Sequence, residues 1–223
     1  ILLTRLPPSL TVLLPLLVIE NVIAIGLALA VAYVRGSLTD RTVMIICTVG
    51  LSVSILVYII VFQYVFAYKL GWFPVQGWGN ELWENLTRYA LLPIFILLVV
   101  SIAPNLRLYR TFVLDEINQD YVRTARAKGM TEGVVLFRHV MRNALIPIIT
   151  NIGMQLPGIF VGSFLIETFF SIPGLGREVL LAVNRSDFPV IQATTIYLAV
   201  LTMVINLLTD VAYKIADPRV VLK

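Results

Sequence analysis

The chain has 223 residues, of which 59% are hydrophobic and 13% are charged. Soluble domains of this length usually carry about 25% charged residues, so the polar side chains here are too few to cover a water-facing surface. The composition therefore excludes an ordinary soluble domain and indicates a membrane protein. A net charge of +4 suggests nucleic-acid binding in a soluble domain. Here the basic residues concentrate in particular loops, which predicts an orientation in the membrane and no nucleic-acid partner.

Five apolar segments are long enough to cross a bilayer, which requires about 20 mostly apolar residues. They are residues 10–34, 43–68, 89–108, 144–169 and 188–213. The short alternating segments of a β-barrel are not seen, so helices must satisfy the backbone hydrogen bonds within the bilayer. The sequence predicts an all-α membrane protein with five spans, in a single transmembrane domain over residues 1–223.

The distribution of lysine and arginine predicts which loops face the cytoplasm, because these residues are retained on that side. One side of a five-span topology holds twelve of the 17 lysines and arginines. Two lie in residues 35–41, seven in residues 107–142 and three in residues 214–223. The other side holds five, namely Arg5, Lys69, Arg88, Arg177 and Arg185. The long basic loop and the C-terminus are therefore expected in the cytoplasm.

The start of the chain is expected outside the cytoplasm. It begins at Ile1, and no charged segment followed by a short apolar stretch and a cleavage site is visible. The simplest interpretation is that an earlier span is missing from this sequence.

The cytoplasmic loop, residues 110–143, is too long for a passive connection, and long connections in compact proteins tend to be functional. We predict a first helix over residues 114–128, with acidic residues toward its start and basic residues toward its end, as the helix dipole favours. Gly129 is expected to end this helix with a positive φ. Thr131 would cap a second helix that ends near Met141. From charge alone, a solvated amphipathic connector is an equally good interpretation.

The residues of the loop point to one family. The segment from Asp120 to Gly129 reads Asp-Tyr-Val-Arg-Thr-Ala-Arg-Ala-Lys-Gly. It resembles the coupling loop of binding-protein-dependent ABC importer permeases, in which Glu-Ala-Ala is followed after three residues by Gly. Here Arg123, Thr124 and Ala125 stand at the first three positions, and Gly129 stands at the last.

Two departures from that motif resemble the branch of the family that transports peptides and nickel. The general family continues with Ile-x-Leu-Pro, whereas residues 139–142 here read His-Val-Met-Arg. The variant Arg-Thr-Ala-Arg-Ala-Lys-Gly, followed by Arg-Asn-Ala, is familiar in the peptide and nickel branch. Residues 70–74, 167–176 and 217–219 also resemble segments of that branch. The resemblance implies the transmembrane domain of a type I ABC importer, with five spans present and the first family span missing.

The resemblance also implies partners. The first loop helix would lie in a groove of an ATPase subunit, with Ala125 and Ala127 on its surface to allow close packing. A second, homologous permease, two ATPase subunits, an external substrate-binding protein and membrane lipid are implied. ATP and magnesium would be held by the ATPases, and no cofactor or metal is expected in this chain. The implied ATPase-coupling residues are Asp120, Tyr121, Arg123, Thr124, Ala125, Arg126, Lys128 and Gly129.

Polar residues inside the spans are candidates for a substrate path, since ionisable groups there are costly and often functional. The candidates are Glu20, Asn21, Asn151, Gln155 and Glu167. The alternative is that they form hydrogen bonds between helices, as polar residues in helical bundles commonly do. Gly158 and Gly162 form a Gly-x-x-x-Gly pattern, which favours close helix packing.

The sequence contains no phosphate-binding Gly-x-x-x-x-Gly-Lys-Ser/Thr loop and no recognisable catalytic constellation. We therefore predict that the protein is not an enzyme and that a separate ATPase supplies the energy. The leading hypothesis is an inner-membrane permease of a prokaryote that imports di- or oligopeptides. The same importer type for nickel or glutathione is the alternative. An ion-coupled secondary transporter is a further one, but it would favour paired intramembrane acids and an inverted repeat.

Overall fold

The computed structural model describes the backbone of residues 2–216 and the side chains of residues 4–208. Within this range all regular secondary structure is helical, which confirms the predicted class. Residues 63–69, 85–89 and 135–140 form turns of π-helix that continue α3, α4 and α7. The α-helices are, in chain order, α1 (Leu2–Tyr33), α2 (Leu38–Ser52), α3 (Ile55–Phe62), α4 (Leu82–Glu84), α5 (Leu91–Ile117), α6 (Asp120–Ala127), α7 (Glu132–Val134), α8 (Met141–Val161), α9 (Phe164–Phe169), α10 (Leu175–Asn184) and α11 (Phe188–Ala216).

Two compact units make up the described chain. The first unit contains the residues up to Leu17, Ile55–Leu97 and the described residues from Gly153 onward. The second unit contains Val18–Ser54 and Leu98–Ile152. The loop of residues 110–143 therefore belongs entirely to the second unit.

Aromatic side chains join α3 to the first turns of α5 in the first unit. The ring centroid of Phe95 lies 5.6 Å from that of Phe62 and 6.1 Å from that of Phe66, both in edge-to-face geometry. The ring of Phe66 also lies 5.8 Å from that of Trp72. Such pairs stabilise beyond the area they bury, so they fix the start of the loop that follows α3.

The same loop is held by hydrogen bonds to the end of α9. The side-chain amide of Gln76 donates to the carbonyl of Phe169 at 3.0 Å. The backbone N–H of Gly77 donates to the carbonyl of Phe170 at 3.1 Å. These contacts satisfy carbonyls that the end of a helix leaves without intrahelical partners.

Small side chains allow close helix packing in the second unit. Alanines of α1 and α5 are fully or nearly fully buried, and with no long side chain between them the helices can approach closely. Tyr109 is the largest fully buried side chain of the chain's described part. This cluster consists of Ala24, Ala28, Cys47, Ala103, Leu106, Tyr109 and Ile148.

Three of the five predicted spans are confirmed as long helices, with shifted ends. The first begins at Leu2 instead of residue 10, and the third continues to Ile117 instead of residue 108. The fifth begins at Phe188, as predicted, and its helix runs to Ala216. Pro7, Pro8 and Pro15 lie inside α1, so the prolines near its start do not end the helix.

The second predicted span is wrong as a continuous helix. It is broken after Ser52 into the bent pair α2 and α3. Ser52 donates its hydroxyl to the carbonyl of Thr48 at 3.0 Å, and Val53 takes an extended backbone with φ −92° and ψ 130°. Hydroxyl bonding to the preceding turn weakens a helix. Four helices of the described chain are long and apolar enough to cross a membrane, and the bent pair makes five if it is one span.

The fourth predicted span starts earlier and is interrupted near its end. The helix begins at Glu132 and continues through a π-helical turn into α8, because no helix-breaking residue follows Met141 immediately. The predicted separate helix ending at Met141 is therefore wrong. α8 ends at Val161, where Gly162 has a φ of +82°, and α9 follows.

Two ion pairs each join two of the loops. In the second unit, Arg110 pairs with Asp40 at 2.8 Å, which brings residues 35–41 beside the start of the loop of residues 110–143. In the first unit, Arg5 pairs with Glu178 at 3.2 Å, beside Arg177. Each pair joins two regions that charge counting assigned to the same side. Residues 217–219 lie outside the described residues, as does the remainder of the tail.

Candidate coupling site

A break separates α5 from α6, so the predicted helix over residues 114–128 is in fact two helices. Asn118 donates its side-chain amide to the carbonyl of Leu114 at 3.0 Å, and Gln119 takes an extended backbone with φ −72° and ψ 153°. Side-chain bonds to the last helical carbonyls offer the backbone an alternative to continuing the helix. Asp115 and Glu116 consequently end α5 instead of starting the loop helix.

The C-terminal end of α6 confirms the turn predicted at glycine. Gly129 has a φ of +77°, and its N–H donates to the carbonyl of Arg126 at 2.9 Å. An ideal Cβ built on Gly129 would meet no atom within 4 Å, so the backbone conformation, and not space, calls for glycine. Thr131 stands at the N-cap position of the next helix, but its side chain makes no capping hydrogen bond.

One face of α6 belongs to the hydrophobic core of the second unit. Val122 is fully buried and Ala125 is 4% exposed, so the prediction that Ala125 lies on the helix surface is wrong. Its small side chain lets α6 approach the helices of its own chain. The cluster around these two residues contains Leu29, Ala32, Val113, Val135, Leu136, Val140 and Ala144.

Two polar links hold the ends of α6. The hydroxyl of Tyr121 donates to Oε2 of Glu116 at 2.6 Å, and burial, together with this acceptor, raises the pKa of Tyr121. The guanidinium of Arg126 donates to both carboxylate oxygens of Glu132, at 3.0 and 2.5 Å. This two-point bond raises the pKa of Arg126 further above its already high value.

The opposite face of α6 is exposed and polar. Asp120 and Arg123 lie one turn apart at 3.4 Å, with side chains 96% and 73% exposed. An ion pair this exposed contributes little to stability, so both groups are free to meet a partner. Thr124, Ala127 and Lys128 are also exposed. We call these five residues the outer face of α6.

Glu20 and Asn21 are buried and hydrogen-bonded to neighbouring side chains of the second unit. The amide of Asn105 donates to Oε1 of Glu20 at 3.5 Å. The hydroxyl of Tyr109 donates to Oδ1 of Asn21. Both contacts join α1 to α5. They are therefore hydrogen bonds between helices, which was the alternative to a substrate path for these two residues. Whether either side chain also lines a substrate path stays a prediction.

Asn151 and Gln155 are half-buried on α8, one helical turn apart as predicted. Their place on a substrate path stays a prediction.

Glu167 is a buried capping residue in the first unit, and its place on a substrate path stays a prediction. Its side chain is 2% exposed. Oε1 accepts hydrogen bonds from the hydroxyl of Ser9 at 2.7 Å and the N–H of Ser163 at 3.2 Å. Oε2 accepts from the N–H of Arg177 at 2.9 Å. The carboxylate thus lies at the N-terminus of α10, where the helix dipole favours a negative charge.

Ser9 completes this cap from α1. Its hydroxyl oxygen accepts from the N–H of Leu175 at 2.9 Å while its hydrogen is donated to Glu167. Gly174 and Gly162 crowd the carboxylate, and a Cβ on Gly162 would come within 2.6 Å of Oε1. The Gly-x-x-x-Gly pattern therefore does not act as one packing surface, since only Gly158 is open.

Comparison with known proteins decides the family. Residues 22–222 match the family described as binding-protein-dependent transport system inner membrane component. The chain is 36% identical to the oligopeptide transport system permease protein AppB of Bacillus subtilis, with 99% of this chain and 71% of that protein covered.

The chain belongs to this family. It is 32% identical to the di/tripeptide transport system permease protein DppB of Pseudomonas aeruginosa, covering 98% of this chain and 71% of that one. It is 40% identical to a putative peptide transport system permease protein of Brucella abortus, with coverages of 97% and 69%. The protein is a multi-pass membrane permease with the membrane domain of a type I ABC importer.

Several residues that shape this permease were missed by sequence reasoning. Ser9, Asn105 and Tyr109 meet their partners over more than 80 positions of sequence, which no local pattern reveals. Glu116 and Glu132 flank the coupling segment closely, and their acidic character opposite Tyr121 and Arg126 was a signal available in the sequence.

Proposed function

We propose that this permease subunit moves di- or oligopeptides into the cytoplasm and is driven by separate ATPase subunits that bind the outer face of α6. The observation that carries the proposal is the division of α6 into a buried apolar face and an exposed polar face. When a partner bound to the exposed face displaces a helix anchored in this way, the helices packed against its buried face move with it.

The peptide cargo is proposed from the relatives. The permeases of Bacillus subtilis and Pseudomonas aeruginosa are named for oligopeptides and di/tripeptides respectively. Importers of the same type for nickel or glutathione are the alternative, so these two substrates are alternative cargoes. They can be separated from peptides by uptake measurements.

The proposed assembly contains this subunit and a second homologous permease, both in the inner membrane of a prokaryote, together with two ATPase subunits and an external substrate-binding protein. The C-terminus and α6 face the cytoplasm in this proposal. ATP and magnesium bind in the ATPase subunits, and the permease chain itself contributes no cofactor and no catalytic group. Charged residues of the outer face, above all Arg123 and Lys128, would fix the orientation of the ATPase contact.

Reconstitution of the complete complex in vesicles tests this function. With the binding protein and ATP present, labelled peptide is expected to accumulate, whereas nickel and glutathione are not. Uptake that runs without ATP or without the ATPase subunits would contradict the proposal and favour an ion-coupled transporter.

A glycine pair provides a matched test of the turn after α6. Gly129→Ala forces an ordinary side chain into left-handed backbone, at a cost of about 1–2 kcal/mol, and is expected to lower transport. Gly133 also has no atom within 4 Å of an ideal Cβ, but its φ is not positive. Gly133→Ala is therefore expected to leave transport unchanged. Equal transport by both variants would contradict a role of the turn.

A further inference from the structure

Two glutamates hold α6 from outside the helix, one at each end. Glu116, in the last turn of α5, accepts the hydroxyl of Tyr121 at 2.6 Å. Glu132, in the first turn of α7, accepts two hydrogen bonds from Arg126. We call these two contacts the clasps of α6.

The clasps act on a helix that has little stability of its own. α6 has eight residues, and isolated helices shorter than about 12–15 residues are marginal in water. Val122 and Ala125 anchor its middle to the core, and Tyr121, near its start, packs half-buried against the same cluster. Residues 126–128, at its end, are exposed. The clasps add polar attachments that tie both ends to the helices on either side.

The side chains of the clasps already have partners within the chain, although those of Arg126 and Glu132 remain 39% and 44% exposed. Tyr121 is half-buried, and its hydroxyl is already bonded within the chain. Arg126 places both ends of its planar fork on one carboxylate, which fixes the guanidinium in one geometry. By contrast, Arg123 has only a long contact to the fully exposed Asp120.

We propose that Glu116 and Glu132 are positioning residues for energy coupling, and that Tyr121 and Arg126 act through them instead of touching the ATPase. This inference rests on the proposed function of α6. The ATPase contact is then confined to the outer face. Because the clasps attach both ends of α6, a displacement of α6 by the ATPase moves α5 and α8 with it. Without these attachments, α6 would shift alone.

The test uses the complete complex reconstituted in vesicles. Two quantities are measured at equal permease content: the amount of ATPase subunit retained on purification, and the peptide transported per ATP hydrolysed. Arg126→Lys and Glu132→Gln remove the two-point bond while keeping side chains of similar size. Both are expected to retain the ATPase within about twofold and to lower transport per ATP by about two- to fivefold, because an ion pair this exposed is only moderately strong.

Charge exchange and a matched control sharpen the result. Arg126→Glu alone places two acids together, and adding Glu132→Arg restores an opposite pair, so the double variant is expected to regain most of the coupling. Arg142→Gln removes one exposed positive charge from the same cytoplasmic side and is expected to change neither quantity. Tyr121→Phe is expected to lower transport per ATP without loss of ATPase.

Two results would overturn the positioning role. If Arg126→Lys loses the ATPase as fully as the double variant Arg123→Glu with Lys128→Glu, Arg126 contacts the ATPase directly. If the charge exchange restores nothing, or if the clasp variants only lower permease content while transport per ATP stays normal, the clasps merely stabilise the fold. Failure of the proposed function differs from both, because it appears in the unmodified complex as uptake without ATP.

Discussion

Arg110 of α5 binds the carboxylate of Asp40 in α2 at two points, with 2.9 Å from Nε to Oδ1 and 2.8 Å from a terminal guanidinium nitrogen to Oδ2. Asp40 also accepts the N–H of Gly36 at 3.0 Å, and Gly36 has a φ of +80°. A single acid therefore organises the turn after α1 and attaches it to the helix that leads to α6.

Removal of this acid is expected to destabilise the second unit. Asp40→Asn leaves the guanidinium of Arg110, whose side chain is 19% exposed, without a counter-charge. Loss of one partner from a largely buried pair costs about 3 kcal/mol. Thermal unfolding of the purified subunit in detergent should show a clearly lower midpoint. Arg41→Gln changes the exposed neighbouring residue and should leave the midpoint unchanged, so equal shifts in both variants would argue against the pair.

A second prediction concerns the cap formed by Ser9. Ser9→Ala removes a donor to the carboxylate of Glu167 and an acceptor for the N–H of Leu175. Hydrogen bonds to charged groups contribute about 1.5–3 kcal/mol, so a destabilisation of about 2 kcal/mol is expected. Thr195→Ala, which removes an exposed bond to the carbonyl of Ile191, is the control for the same unfolding measurement. If both variants unfold alike, the cap is unimportant for stability.

A third prediction contrasts two glycines. A Cβ on Gly176 would lie 2.7 Å from the backbone nitrogen of Phe164, and a backbone atom cannot move aside cheaply. Gly176→Ala is expected to destabilise by about 1–3 kcal/mol, as overpacking does. Gly158 has no atom within 4 Å of the same position. Gly158→Ala should stabilise the isolated subunit by up to about 1 kcal/mol, since alanine is the better helix former. The order of the two unfolding midpoints decides the matter.

A fourth prediction tests the buried face of α6. Val122 is fully buried, and shortening it to alanine removes apolar contacts worth about 2 kcal/mol. Thr124→Ala alters the exposed face and should change stability by less than about 0.5 kcal/mol. Protease sensitivity of the cytoplasmic segment provides a local measurement, in which Val122→Ala should be cut faster than Thr124→Ala. Indistinguishable cleavage would mean that the buried face does not hold α6 in place.

The features that local chemistry controls were predictable from sequence. Gly129 was assigned a positive φ because a helix end calls for it, and the backbone there confirms it. The start of α11 at Phe188 followed from apolar length alone. Loop charge also predicts that residues 35–41 and 107–142 lie on the same side, and the ion pair between Asp40 and Arg110 joins these two regions.

The errors arose where distant contacts or side-chain bonds to the backbone decide. The sequence predicts Ala125 on the surface of α6 because a small residue suits any close interface. The sequence does not show whether the surface it contacts belongs to the same chain or to another, and Ala125 is in fact buried within its own chain. Glu167 shows the same limit, because its position in a span does not reveal that Ser9 and the backbone of α10 bind its carboxylate across a long stretch of sequence. Neither partner is within reach of a periodicity argument.

The burial of Val122 and Ala125 has a consequence for how such importers diversify. The buried face of α6 packs against helices of its own subunit. The exposed residues of the outer face can therefore change without disturbing the fold. In the proposed assembly, exchange of a few exposed side chains is expected to let the permease work with a different ATPase. Chimaeric importers, in which Arg123 and its exposed neighbours are exchanged together with the ATPase, are therefore a practical route to new pairings.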